Sequence, residues 1–459
     1  MAGKRKSAMR NMTEGNVVRH LIFFALPLVA GGLLQQFYNM VDSLVVGNFV
    51  GDSALAAVGF GWPISNMFIA LFMGMGTGAT VTISQFYGAG QMERVRDVID
   101  TLYTILVAAI VPVTILAVLL VEPLLVLLKT DPSCFADSRT YLLIICAGLI
   151  GTVGYNFNAG ILQGLGDSNT SLLFLAVAAV VNIVLDLVSV LCFDMGVAGV
   201  AYATIIAQLI SWLFGIFYIN IKYPEIAIRP FSRRFDKKLF RHIMNIGLPA
   251  GIQMSLISVG VMALMAKINT FGEAYTAGYN AGNKIDNLAW LPMQALTTAC
   301  TALVGQNVGA GKYDRAKKGI RAAILLGIAW AVSMTAIILP NRYFALSLFS
   351  NTPATIETGA NFLICMMPFY PLVVTMFTLN NGMRGAGESV FPMICTIISF
   401  IGVRVPALYF LADRFGPESM YFCYAIGWAV GLALSGGYYF SGRWKRHGSM
   451  VQSEMEEYS

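Results

Sequence analysis

Long apolar runs, punctuated by Gly, Pro and short charged clusters, recur along almost the whole chain. A helix rising about 1.5 Å per residue needs roughly 20 residues to cross about 30 Å of hydrocarbon. By that measure the runs predict twelve transmembrane helices, over 21–46, 54–82, 95–121, 140–162, 169–193, 197–221, 240–266, 274–304, 319–339, 357–382, 389–411 and 418–441. The expected fold class is an all-α integral membrane protein.

Composition narrows the function classes. Hydrophobic residues make up 57% of the 459 positions and charged residues 12%, with a mean hydropathy of +0.69. A soluble domain carries about 25% charge, so a water-soluble enzyme, a nucleic-acid binder and a secreted disulfide scaffold are excluded. The seven cysteines lack metal-type spacing, and Cys146, Cys300, Cys365, Cys395 and Cys423 fall inside apolar runs as small hydrophobes. The basic segment before the first run is not followed by a small-residue cleavage pattern, so the first helix is expected to be retained.

The net charge of +6 matters less than where the basic residues lie. Cytoplasmic loops retain Lys and Arg. With twelve spans starting inside, 23 basic residues fall in cytoplasmic segments, whereas the external loops hold only Lys129, Arg139, Lys267, Arg342 and Arg414. Lys284 and Arg404 are left inside spans. A missed helix would spoil this asymmetry. Both termini are therefore expected in the cytoplasm and the chain in the cytoplasmic (inner) membrane. The expected organisation is a cytoplasmic segment 1–20, an amino-terminal lobe 21–221, a basic linker 222–239, a carboxy-terminal lobe 240–441 and a cytoplasmic tail 442–459.

The two halves repeat. Ala25-Leu26-Pro27 matches Gly247-Leu248-Pro249; Gln85 to Gly90 (QFYGAG) matches Gln306 to Gly311 (QNVGAG); Gly164 to Ser168 (GLGDS) matches Gly385 to Ser389 (GAGES). The offsets are 222, 221 and 221. Six helices per half put both halves in the same orientation, a parallel pseudo-repeat found in transporters, with substrate bound between the halves.

With few charges available, a carboxylate within a span is informative, because it costs at least about 2.5–3.5 kcal/mol at the bilayer centre. Asp42 follows the polar stretch Gln35-Gln36-Phe37-Tyr38-Asn39, and Asp186 has Asn182 one helical turn before it. Helical rise places Asp42 roughly 33 Å and Asp186 roughly 28 Å from the cytoplasmic edge, with Thr204 about 12 Å below the external edge. These side chains can share one layer of the outer half. A carboxylate there can exchange a proton or, with amide and hydroxyl oxygens nearby, hold a hard cation such as sodium. Helix 8 carries Lys284 and Asp286, which point to different faces, and Arg404 in helix 11 can meet a helix 8 carboxylate or snorkel to the interface.

Leu26-Pro27, Val41-Asp42 with Val46-Gly47, the two Gln…Gly-Ala-Gly segments, Leu162-Gln163-Gly164 with Met383-Arg384-Gly385, and Asn182…Asp186 together resemble the multidrug and toxic compound extrusion (MATE) family. The resemblance covers about residues 14–441. It implies two pseudo-symmetric six-helix bundles forming a V-shaped cleft, and export of cationic or amphipathic drugs by exchange with H+ or Na+. The family's amino-terminal ion site falls on Asp42, Asn182, Asp186 and Thr204, with Tyr38 and Gln36 as further candidates. The NorM branch adds acids on helices 7 and 10, but here Gln253 stands near the first and Asn361 to Gly382 contains no carboxylate. The chain is thus more similar to the DinF-like and MepA-like branch.

The alternative within the same superfamily, a flippase for a lipid-linked precursor, calls for several basic residues in the cleft, and only Lys284 and Arg404 lie in span interiors. An intramembrane enzyme is not expected: no paired-acid or His-Glu-x-x-His pattern occurs, and His20, His242 and His447 fall at cytoplasmic edges. The expected partners are small organic cations or amphipathic drugs and the lipid bilayer, without nucleic acid or cofactor, and the chain is expected to be a monomer.

Overall fold

The computed structural model describes residues 9–446 apart from 128, 129, 131, 231 and 233. Lys4, Arg5 and Lys6, Lys129, Arg233 and the tail from His447 onward lie outside the described residues. The described residues form helices and no strand.

Twelve spans follow in order: α1 (Val17–Val50), α2 (Asp52–Gly88), α3 (Met92–Leu127), α4 (Pro132–Ala147 with Leu149–Gly164), α5 (Ser168–Leu191), α6 (Gly196–Lys222), α7 (Lys237–Asn269), α8 (Glu273–Gly309), α9 (Tyr313–Ile338), α10 (Pro353–Gly385), α11 (Val390–Phe415) and α12 (Pro417–Phe440). The two parts of α4 are bent by 51° at Gly148, and counting that pair as one span gives the twelve that the hydropathy pattern predicts. Two π-helical turns interrupt the regular ladder, Val46–Val50 at the end of α1 and Ile398–Val403 within α11. Such turns often accompany functional side chains.

The repeated Gly-rich motifs are helix ends. The sequence places them in loops, but Gln85 to Gly88 and Gln306 to Gly309 form the last turns of α2 and α8. Gly90, Gly166, Gly311 and Gly387 each adopt positive φ, from +70° to +98°. Each donates its N–H to a carbonyl three residues back, and the next residue donates to a carbonyl five residues back, as in Gln91 to Phe86 and Asp167 to Leu162. That is the Schellman pairing, which satisfies the last carbonyls of a helix and needs a residue at ease in the left-handed region. After two of these caps an acid starts the next helix. Asp167 accepts from the Thr170 N–H at 3.1 Å, and Glu388 from the Phe391 N–H at 3.0 Å.

The described chain forms two compact units. One comprises the described residues up to Asn11 with Pro27–Gly251, and the other Met12–Leu26 with the described residues from Ile252 onward. Each unit therefore holds the opening turns of the other unit's first helix, and the exchange falls at the paired Leu-Pro motifs. In the first unit, α2 meets the start of α7 so closely that a Cβ on Gly74 would lie 2.4 Å from the Gly247 carbonyl oxygen. Small residues permit such backbone approach where lipid gives no hydrophobic drive for helix association. In the second unit the segment before α1 is anchored by α8. The Met12 N–H donates to Gln306 Oε1 at 2.8 Å, and Asn307 Nδ2 donates to the Met12 carbonyl at 3.2 Å.

The interior of the first unit includes a hydrogen-bonded trio, Tyr103, Asn158 and Trp212, in which Asn158 Nδ2 donates to the Trp212 carbonyl at 3.0 Å. The second unit centres on Phe362, with Tyr279, Tyr421 and Tyr424 packed edge-on around it. Leu119, Phe217, Leu325 and Phe440 point outward and exposed, as lipid-facing side chains do.

Candidate functional site

Asp42 is not the end of its helix, since α1 continues past it to Val50. Its carboxyl and that of Asp186, on α5, are electrostatic neighbours of each other. Asp186 is fully buried and Asn182, one turn earlier, is 3% exposed. Both oxygens of Asp186, Oδ1 of Asp42 and both amide atoms of Asn182 are buried without a hydrogen-bond partner. In a native structure such orphaned polar atoms point to a bound ion or water. Tyr38, one turn before Asp42, is buried against Leu175 and Ala179 and neighbours both carboxyls.

Other candidates make local or no contacts. The Thr204 hydroxyl donates to the Val200 carbonyl of its own helix at 3.0 Å, and Gln36 is exposed. Tyr141 of α4, which the sequence did not single out, is an electrostatic neighbour of Asp42, Tyr38 and Asp186. With 19 tyrosines in the chain, nothing marks Tyr141 in advance.

No basic group is among the electrostatic partners of either carboxyl. Two abutting carboxylates repel unless a cation lies between them. Carboxylate and amide oxygens suit a hard cation, and carboxyl oxygens suit a shared proton. The acids and the amide of α1 and α5 thus gather oxygen atoms of a kind that a proton or a hard cation could take up.

The comparisons with known proteins bear on what such a pocket serves. The MatE family model matches this chain twice, over residues 27–188 and 249–410, once in each half. The chain belongs to the MATE family. It is 30% identical over 436 residues to the "Probable multidrug resistance protein YpnP" of Bacillus subtilis, covering 95% of this chain and 97% of the relative. With the "Probable multidrug resistance protein NorM" of Thermotoga maritima the identity is 25%, covering 96% of each. A solved structure titled "Outward-facing conformation of a multidrug resistance MATE family transporter of the MOP superfamily" superposes with a TM-score of 0.88 at 22% identity, over 97% of this chain and 99% of that one. The MATE chain described here is therefore a multi-pass membrane transport protein of a multidrug efflux family.

Its second unit distributes charge differently. Gln253, near the place of the NorM-type acid, donates through Nε2 to Thr396 Oγ1 at 2.8 Å and accepts from Arg384 Nη2. Arg384, in the last turn of α10, is 5% exposed and turned inward. It also donates to Asn381 Oδ1 at 3.1 Å and to Ser389 Oγ at 3.4 Å. Lys284 is exposed, 5.4 Å above the Phe349 ring, and does not join Asp286. Asp286 accepts instead from the Tyr370 hydroxyl, and Arg404, 3% exposed, is its electrostatic neighbour. Tyr370 is a second residue that sequence reasoning missed.

Proposed function

We propose that this MATE transporter exports amphipathic and cationic compounds from the cytoplasm in exchange for H+ or Na+, by alternating access, with both termini in the cytoplasm of an inner-membrane protein. The observation that carries the reading is the pairing of half-buried Asp42 with fully buried Asp186 beside the orphaned amide of Asn182. A proton or sodium ion entering that pocket cancels the repulsion between the carboxyls and lets α1 and α5 close on it. Its departure restores the repulsion. The ion thereby has different free energy in the two conformations, which is the requirement for driving a population shift. The relatives' printed names, multidrug resistance proteins, support drugs as the cargo.

Proteoliposomes given a pH gradient or a sodium gradient separately test the coupling. Asp42→Asn and Asp186→Asn should each reduce gradient-driven drug movement to the level of empty vesicles while equilibrium drug binding persists. Wild-type rates in both variants would remove the pocket from the mechanism.

A further inference from the structure

A cavity of about 460 Å³ lies beside α9, α10 and α12, wholly within the second unit. Ile320 and Ile324 of α9, Leu379 of α10 and Leu432 and Ala433 of α12 give it apolar walls. The Thr375 hydroxyl, a polar group among them, donates to the Pro371 carbonyl of its own helix at 2.6 Å and needs no ligand. Phe440 also lines the space and is 84% exposed, so the cavity opens on the unit's surface rather than into its core.

The glycines of α12 divide into two pairs. A Cβ on Gly427 would lie 2.8 Å from the Ser399 carbonyl oxygen, and one on Gly431 2.7 Å from Ser399 Oγ, so these missing side chains let α11 press onto α12. Gly436 and Gly437 line the cavity, and a Cβ on either would meet nothing within 4 Å. Glycine within a helix is destabilising relative to alanine, and here no protein atom uses the room it leaves.

The mouth of this apolar space is basic. Arg321 lines it, is exposed, and has no ion pair or hydrogen bond among the described residues. Lys317 stands one helical turn before it, and Tyr439 is an electrostatic neighbour of both. Lys445 neighbours Lys317, and Asp314 pairs with only one of these cations, Lys317 at 3.1 Å. From Phe440 to Leu432 the helical rise is roughly 12 Å, most of one leaflet's half of about 30 Å of hydrocarbon. A soluble anion has no use for the apolar depth, and the cations at the mouth repel a cationic drug. A lipid with a negative headgroup satisfies both parts.

We propose that this α9–α12 cavity binds one anionic phospholipid, its phosphate held at Arg321 and Lys317 and an acyl chain lying along Gly436 and Gly437. Its place in the cytoplasmic leaflet rests on the orientation proposed above, whereas the binding itself does not.

The test is native mass spectrometry of the full chain in lipid-free detergent, titrated with dioleoylphosphatidylglycerol or dioleoylphosphatidylcholine, which share their chains and differ in net charge. Neither an ion gradient nor a drug is present, so failure of coupling at Asp42 and Asp186 leaves this measurement untouched. Wild type should bind the first phosphatidylglycerol at least tenfold more tightly than the first phosphatidylcholine. Arg321→Gln should lower that preference below threefold and leave phosphatidylcholine binding within twofold. Gly436→Leu combined with Gly437→Leu fills the space and should weaken the first binding of either lipid at least fivefold. The thermal unfolding midpoint of that variant without lipid should be unchanged or raised, because leucine favours a helix over glycine and enters open space. Equal affinity of wild type for the two lipids would overturn the proposal, as would an undiminished preference in Arg321→Gln. Full-strength phosphatidylglycerol binding by the double glycine variant would overturn it too, since only headgroup adsorption to surface cations would then remain.

Discussion

In the first unit two carboxyls meet with no basic partner, whereas in the second one carboxyl stands near one guanidinium and the two are bridged by no hydrogen bond. The repeat that relates the halves thus preserves helix ends and helix entries but not the charges between them. The first pocket is unbalanced without a cation. The second is nearly balanced within itself and leaves donors free. The charge between the helices is therefore set separately in each unit, by substitutions that leave the caps untouched.

The largest expected effect comes from removing one carboxyl of the first pair. Asp186→Asn should lower ion-driven transport at least a hundredfold, because a single carboxyl beside two amides no longer has the repulsion that ion binding relieves. Initial rates in proteoliposomes under each gradient measure it. Residual transport above a tenth of wild type would mean that a different group carries the ion.

Stability should separate the units in sign. Deleting one of two abutting acids relieves repulsion, so Asp186→Asn should leave the thermal unfolding midpoint in detergent unchanged or raised. Asp286→Asn instead strips the negative charge near a buried guanidinium and replaces the charged acceptor of the Tyr370 hydroxyl, and a hydrogen bond to a charged group contributes about 1.5–3 kcal/mol. Its midpoint should fall, and part of the loss should return when Arg404 is also changed to Gln, as a double-mutant cycle reads directly. Equal downward shifts for both single variants would erase the distinction drawn between the units.

Much of this was legible in the sequence, for physical reasons that can be named. Helical rise alone put Asp42 and Asp186 at similar depth, because a spanning helix has a fixed length per residue and a fixed starting plane. The Gly-Ala-Gly repeats were visible because a left-handed cap admits few residues other than glycine. Arg384 shows the opposite case. A basic residue at a cytoplasmic edge satisfies the charge rule whether it is solvated or folded inward, and the hydrogen bonds to Gln253, Asn381 and Ser389 that decide the matter join distant segments. The Tyr370 contact to Asp286 and the Tyr141 wall depend in the same way on which helix faces which.

The four caps offer a smaller comparison within one unit. Gly90 and Gly166 share a φ near +78°, but a Cβ on Gly90 meets nothing within 4 Å, and one on Gly166 would lie 2.5 Å from the Arg10 carbonyl oxygen. Gly90→Ala should cost about 1 kcal/mol, the left-handed penalty alone. Gly166→Ala adds a collision with backbone and should cost at least about twice as much, measured by denaturant unfolding of the detergent-solubilised protein. Equal costs would show that the segment around Arg10 moves aside freely.

Thr204 should matter least. Its hydroxyl hydrogen is committed to the Val200 carbonyl, and only oxygen lone pairs are left to offer an ion. A proton passing between Asp42 and Asp186 has no use for those lone pairs, while a sodium ion coordinated by the pocket could use one of them. Thr204→Val preserves shape and removes the oxygen. Transport driven by a pH gradient should change less than twofold, and transport driven by a sodium gradient less than threefold, because the three orphaned oxygens of the acids and the Asn182 carbonyl already supply four ligands. A tenfold fall confined to the sodium gradient would instead bring α6 into the coordination shell.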